Sequence, residues 1–323
     1  MVPAIGGSGI AVSAVGPYDG NVGDDRSLES EQLIPRRAAI GPTTSVDRYL
    51  PTRHRTTVGA WCFLDAYGPD DVEAGPGMQV GPHPHTGLQT VTWLLAGEAV
   101  HRDSLGSVVT IRPGELNLMT AGHGIAHAES SPAVHPRLLQ GVQLWLALPG
   151  TSRDVPPAFE HLDNLPVVDL EGARATVLVG TFAGVRSPAT VFSPLVGLEV
   201  AVDPPNPVGL PLDPDFEHAV LVLTGSVMLD GRLMATGSAT YLGRGRSQVV
   251  LTATAAVRVL VLGGEPYGEP LAMWWNFVGG SHEEIVGARE DWAAGRRFGP
   301  VRGFDGEPIP APDLPPGRIR LRG

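Results

Sequence analysis

Short apolar runs, many of them alternating with polar residues, set the pattern of this chain from Ser45 onward. Residues 58–64, 88–95, 107–111, 116–119 and 138–148 are β-branched, aromatic or alternating, and Gly97, Gly106, Pro113-Gly114 and Gly122 punctuate them. Segments of this length and spacing predict a sandwich or barrel. The stretch Gln140-Gly-Val-Gln-Leu-Trp-Leu alternates as a half-buried strand does. A second strand-rich block includes residues 175–179, 196–202, 218–223, 226–229, 248–252 and 257–262. One helix stands out. Ser281 and Glu284 form a capping-box pattern, Ile285, Ala288 and Trp292 share a face, and Gly295 supplies a stop.

This pattern divides the chain into a partly ordered leader over residues 1–42, a first barrel over 43–150 and a Pro-interrupted connection over 151–172. A second barrel with the helix follows over 173–298, and an irregular surface tail over 299–323. The two blocks look related. Thr90-Val-Thr-Trp-Leu-Leu-Ala-Gly97 resembles His218-Ala-Val-Leu-Val-Leu-Thr-Gly225, and each is followed by a second Gly turn, at Gly114 and Gly237. A strand–turn–strand unit used twice suggests two related barrels.

Composition narrows the function classes. The formal net charge is −11, and all 23 basic residues are arginine. This balance argues against direct nucleic-acid binding, which needs clustered cations. The single cysteine, Cys62, excludes an internal disulfide and sits between Trp61 and Phe63 as a buried structural thiol would. No signal-like N-terminus and no 18-residue apolar run is present, so the expectation is a cytoplasmic monomer with no membrane contact.

The chemistry concentrates in Gly81-Pro-His-Pro-His-Thr-Gly87. In extended chain, i and i+2 point to one side, so His83 and His85 can present two imidazoles to one point. Pro84 restricts the backbone to extended shapes. His127 and Glu129 repeat the spacing some forty residues later. Either pair alone is weak, since such residues also decorate barrel rims. Together, on facing strands, they offer three nitrogens and a carboxylate. That set suits Fe, Mn, Ni, Co, Cu or Zn.

These segments resemble the pirin family. The resemblance runs through Pro82-His-Pro-His-Thr-Gly-Leu-Gln-Thr-Val-Thr-Trp-Leu-Leu-Ala-Gly97, His101-Arg-Asp-Ser-Leu-Gly106, and Arg112-Pro-Gly-Glu-Leu-Asn-Leu-Met-Thr-Ala-Gly-His-Gly-Ile-Ala-His-Ala-Glu129. It is dense over residues 58–149 and looser over 175–299. The resemblance implies an all-β bicupin: two cupin barrels, only the first binding metal. It implies one Fe2+ held at the positions of His83, His85, His127 and Glu129. Some pirins resemble quercetin 2,3-dioxygenases, acting on an aromatic substrate with O2. Others resemble redox-responsive binding proteins that act on a transcription regulator or another protein partner. Gln89 and the Asn117-Leu118 pair depart from the usual family pattern and put pocket shape in doubt, while the ligand set is intact.

Matching the two copies at their Gly turns sets Pro211 and Asp213 opposite His83 and His85, and Val250 and Thr252 opposite His127 and Glu129. The second barrel is therefore expected to lack metal ligands, and His218 to be a strand or surface residue. Around the first site, Gln89 has two readings, a hydrogen bond to a ligand imidazole or an ordinary strand position. Trp61, Phe63 and Met119 are read either as pocket lining or as core. His101 and His123 lie close in sequence, and His123 is read either as an outer hydrogen-bond donor or mouth residue, or, in preference, as a plain rim residue. On the oxygenase reading, Glu129 is also the catalytic residue that takes a substrate proton.

Overall fold

The computed structural model describes residues 30–322. In chain order the strands begin with β1 (Glu31–Leu33), β2 (Arg36–Ile40), β3 (Thr44–Leu50), β4 (Trp61–Asp71), β5 (Gln79–His85) and β6 (Leu88–Ala96). There follow β7 (Ala99–Asp103), β8 (Val108–Ile111), β9 (Leu116–Thr120), β10 (Ile125–Ser130), β11 (Leu138–Ala147) and β12 (Ala158–Leu162). The second block holds β13 (Val167–Leu170), β14 (Ala173–Phe182), β15 (Val185–Arg186), β16 (Leu195–Val202), β17 (Val208–Pro211) and β18 (Glu217–Thr224). It continues with β19 (Ser226–Leu229), β20 (Arg232–Ala235), β21 (Ala239–Gly243), β22 (Gln248–Thr252) and β23 (Val257–Gly264). A hairpin of β24 (Ala272–Trp274) and β25 (Phe277–Gly279) precedes α1 (His282–Ala293).

The chain forms two compact units, and each contains a large and a small sheet. In one, the large sheet runs β12-β9-β6-β11-β4-β3-β2 and the small one β5-β10-β7-β8. In the other, the orders are β1-β21-β18-β23-β16-β14-β13 and β17-β22-β19-β20. The small sheets match strand for strand, and the large sheets match except at one edge, where β12 follows its barrel in the chain and β1 precedes its own, so the internal repeat is structural as well as sequential. Gly97 and Gly225 turn matching corners with φ of 89° and 82°. A Cβ at Gly97 would stand 2.6 Å from the Leu138 carbonyl oxygen, so both conformation and space require glycine there. This is the all-β bicupin expected from the sequence.

The boundaries differ from the expected ones. Residues 1–29 of the leader lie outside the described residues, but from Glu31 the leader supplies β1 and β2. The stretch read as a connection carries a strand for each unit, β12 on one side and β13 on the other. Residues 264–323, including α1, group with the first barrel and not with the second. The reason is burial. Ile285 and Ala288 of α1 pack with Ala126, Phe277 and Phe298, all in the first unit. Ser281 caps α1 by accepting from the Glu284 amide, and Glu284 accepts from the Gly280 amide. The tail beyond residue 299 is irregular but not merely superficial. The Ile309 amide donates to the Pro82 carbonyl at 2.8 Å, and its own carbonyl accepts from Trp292 Nε1 at 2.9 Å.

The second barrel is filled by a continuous apolar cluster that includes Val208, Leu210, Val249 and Leu251 on its β17–β22 pair. That pair is the counterpart of β5–β10, and no group of metal-ligating residues is found on it among the described residues. His218 lies on β18 but is buried, not at the surface, and its Nδ1 lacks a hydrogen bond. Burial pushes its pKa down to about 4. A depressed imidazole contributes stability above its unfolded value that is lost as pH falls through the folded one. We expect His218→Gln to flatten the loss of stability between about pH 6.5 and 4, an effect on the order of 3 kcal/mol. Urea unfolding of both proteins across that range measures it; parallel pH profiles would contradict it.

Candidate metal centre

His83 and His85 project from β5, and His127 from the facing strand β10, where it pairs with His83. His85 Nε2 and His127 Nε2 lie 3.1 Å apart, and one ligand atom from each of the three imidazoles falls within 4.8 Å of the others. All three residues are buried. Burial pushes His83 down to about 4 and holds His85 and His127 well below the ordinary histidine range. Neutral imidazoles with convergent lone pairs are what a transition metal requires. The donor set therefore fits the metal that the sequence suggested.

The outer nitrogens have different partners. His83 Nδ1 donates to the Gly81 carbonyl at 2.8 Å, which leaves Nε2 free. His127 Nδ1 lies 3.4 Å from His101 Nδ1, and His101 Nε2 lies 3.1 Å from Asp103 Oδ2. If His101 donates through Nε2 to Asp103, its Nδ1 accepts from His127 Nδ1–H, and His127 Nε2 is left as a lone pair. Asp103 is itself anchored. Burial raises its proton affinity, but the bonds from His101 and Ser107 outweigh this and hold its carboxyl below the usual range. His85 differs, since its Nδ1 lies against the Asn276 backbone without a well-formed hydrogen bond.

Glu129 does not join the first cluster. Its carboxylate groups with His127 and His101, so His127 belongs to both groups. The cause is a bulge. From His127 to Glu129 the partner on β5 moves from His83 to Val80, so β5 carries one extra residue around Gly81-Pro82. On the other side β10 pairs regularly with β7 and sets Glu129 directly opposite His101. Thr92 Oγ1 lies 3.3 Å from Glu129 Oε1 and 3.0 Å from Gln143 Oε1. Burial raises the Glu129 pKa, opposed by the charge of His101 and the Thr92 hydroxyl.

The imidazoles border a cavity of about 500 Å³, within the size range of small-molecule sites. Phe63 and Trp145 stack at 3.9 Å on one wall, and Trp274 and Trp275 stand on another. A polar row crosses the large sheet in register beneath them: Arg36, Arg48, Asp65, Gln143, Thr92 and Asn117. Of the residues weighed from sequence, Phe63 lines the cavity, while Trp61 and Met119 are buried outside its lining. Gln89 donates to Thr120 Oγ1 at 2.9 Å. His123 is exposed and outside the cavity lining, with Nδ1 3.2 Å from the Val155 carbonyl. Cys62 is fully buried, and burial pushes its thiol up to about 12, as a structural thiol requires.

Sequence reasoning undervalued His101 and Asp103. Their i, i+2 spacing on β7 was the available signal, and it is the spacing that marked the other two pairs. We expect His101→Gln to weaken metal binding by about 10- to 100-fold, the usual effect of removing an outer hydrogen-bond partner. Competitive chelator titration checks this; unchanged affinity would mean that His101 does not orient His127.

Fold and site together define a bicupin with a histidine-rich pocket in one barrel. Residues 43–146 match the Pirin family, and residues 197–299 match the Pirin C-terminal cupin domain. The chain belongs to the pirin family. It is 46% identical to a Pseudomonas aeruginosa protein named "Putative quercetin 2,3-dioxygenase", over 88% of this chain and 90% of the relative. It is 37% identical to a Caulobacter vibrioides pirin-like protein, over 86% of this chain and 97% of the relative. The crystal structure of quercetin 2,3-dioxygenase from Acinetobacter baumannii superposes with a TM-score of 0.87 at 41% identity, covering 90% of this chain and 97% of that one.

Proposed function

We propose that the chain holds one divalent transition metal ion, Fe2+ by preference, at His83, His85 and His127 with Glu129 alongside, and opens a quercetin-like flavonol or related enolic substrate with O2. The observation that carries this reading is the convergence of three buried, neutral imidazoles at the edge of an aromatic-walled cavity. The similarity to proteins named as quercetin 2,3-dioxygenases supports the choice of substrate. When bound, the ion supplies Lewis-acid polarisation and redox chemistry.

The chain's own residues supply orientation and proton handling. Glu129 stands beside the imidazole triad, with a proton affinity raised by burial. On this reading it accepts the proton of a substrate hydroxyl. Thr92 fixes its carboxylate and shares one hydroxyl proton between Glu129 and Gln143. The aromatic walls exclude water and hold a flat ring. Metal analysis of the purified protein, followed by anaerobic Fe2+ loading and addition of quercetin and O2, tests the proposal. Equimolar O2 uptake and carbon monoxide release are expected; a metal-loaded protein that consumes no O2 with any flavonol would refute the dioxygenase reading.

A further inference from the structure

Arg36 and Arg48 both border the cavity and are not equivalent. Arg37 pairs with Asp47 at 3.1 Å, and Arg48 holds Asp65 through two bonds of 2.8 and 2.7 Å. Arg36 borders the cavity, and among the described residues no carboxylate forms a salt bridge with it. It stands directly opposite Arg48 across β2 and β3. Like charges in that position repel. Arg36 is exposed, and its charge acts on the Asp65 carboxylate only at a distance, because the two hydrogen bonds of Asp65 go to Arg48. Apart from Glu129 beside the imidazoles, the cavity lining contains no carboxylate.

A second, independent observation comes from Tyr67. Its side chain borders the same cavity, the residue is 4% exposed, and its hydroxyl makes no hydrogen bond. It lies on the inward face of β4 with Phe63 and Asp65, by strand alternation. Burial and the nearby Glu129 raise its pKa, so it remains a donor. A buried hydroxyl without a partner costs about 1–3 kcal/mol; this one is closed off beside Gly141, so reaching a ligand oxygen takes a small side-chain movement. The third feature is Trp275. It bends the β24–β25 hairpin with φ of 53°, a conformation that bulky residues rarely adopt, and it borders the cavity beside Trp274. Strain of this kind collects at ligand sites.

We infer that the cavity is built for an aromatic ligand carrying an anionic substituent remote from the metal, with the ring against Trp274 and Trp275, the anion on Arg36, and a ligand oxygen accepting from Tyr67. The inference rests on the cavity and metal reading above and narrows its substrate class to anionic aromatics. An uncharged flavonol would leave the Arg36 guanidinium without a directly paired anion.

The test uses the full chain loaded with Zn2+, which removes redox chemistry, and compares 6-hydroxy-2-naphthoate with its methyl ester by isothermal titration. The acid is expected to bind at least about tenfold tighter than the ester, the strength of one charge-assisted hydrogen bond. Arg36→Gln should erase that preference, and raising the salt should shrink it. Tyr67→Phe should weaken both probes by about fivefold without lowering the melting temperature of the free protein, because no internal bond is lost. Equal binding of acid and ester, a preference that survives Arg36→Gln, or no binding of either probe would each overturn the inference. A preference that disappears only when the metal is removed would place the carboxylate on the metal and overturn it equally. Absence of flavonol cleavage alongside an Arg36-dependent preference would sink only the flavonol reading.

Discussion

Replacing His127 with Ala is expected to abolish stabilisation of the protein by divalent metal. His127 is the residue common to both ligand groups, with its ring centroid 4.4 Å from that of His83, 4.9 Å from His85 and 5.2 Å from His101. Without it, two imidazoles on β5 remain, and Glu129 has no imidazole shared with them. The loss in affinity should exceed about 100-fold, the upper end of what an outer partner commands. Metal present at 100 times its dissociation constant stabilises a native site by about 2.7 kcal/mol. In His127→Ala that increment should vanish, so adding metal should no longer raise the melting temperature. The metal-free variant should still fold, since truncating one buried side chain typically costs about 0.5–3 kcal/mol. A metal-dependent thermal shift equal to that of the unaltered protein would refute the assignment of His127.

The sequence made some of this architecture readable because strand alternation is local. His83 and His85 present their side chains together simply because the chain is extended there, and Pro84 keeps it so. The same rule, applied to His127 and Glu129, identified two residues on one strand but not their different neighbours. The extra residue at Gly81-Pro82 leaves His127 facing His83 while Glu129 faces Val80 on one side and His101 on the other. A bulge is a relation between two strands, and no periodicity within either one reveals it. The same limit applies to α1. Its cap and apolar stripe are written locally, but the barrel it covers is decided by partners such as Ala126 and Phe277, distant in sequence. The β24–β25 hairpin, with its two tryptophans at the cavity, was invisible for a further reason. Each strand has three residues, too few to show a period.

Arg48→Met should produce the largest loss of stability among the changes discussed. Asp65 is fully buried, whereas the Arg48 side chain retains 21% of its exposure and spans from the cavity to that carboxylate. Burial raises the Asp65 pKa despite the opposing bonds from Arg48, so desolvation already outweighs the pair's attraction in the intact protein. Removing Arg48 leaves an uncompensated carboxylate in the sheet, and breaking a buried pair from one side costs about 3–5 kcal/mol. The sign of the pH dependence follows. In the variant the folded state holds the Asp65 proton more tightly than the unfolded chain does, so stability falls as pH rises through the folded pKa. The deficit should therefore be largest at neutral pH and shrink on acidification. Adding Asp65→Leu should restore most of the loss, because an apolar pair of similar size removes the stranded charge. The urea midpoint of the transition belonging to the first barrel, followed for the single and double variants, reads this directly. A single variant as stable as the parent, or a double variant no better than the single, would mean that Asp65 is already protonated in the native protein and that the row from Arg36 to Thr92 carries no buried charge at that point.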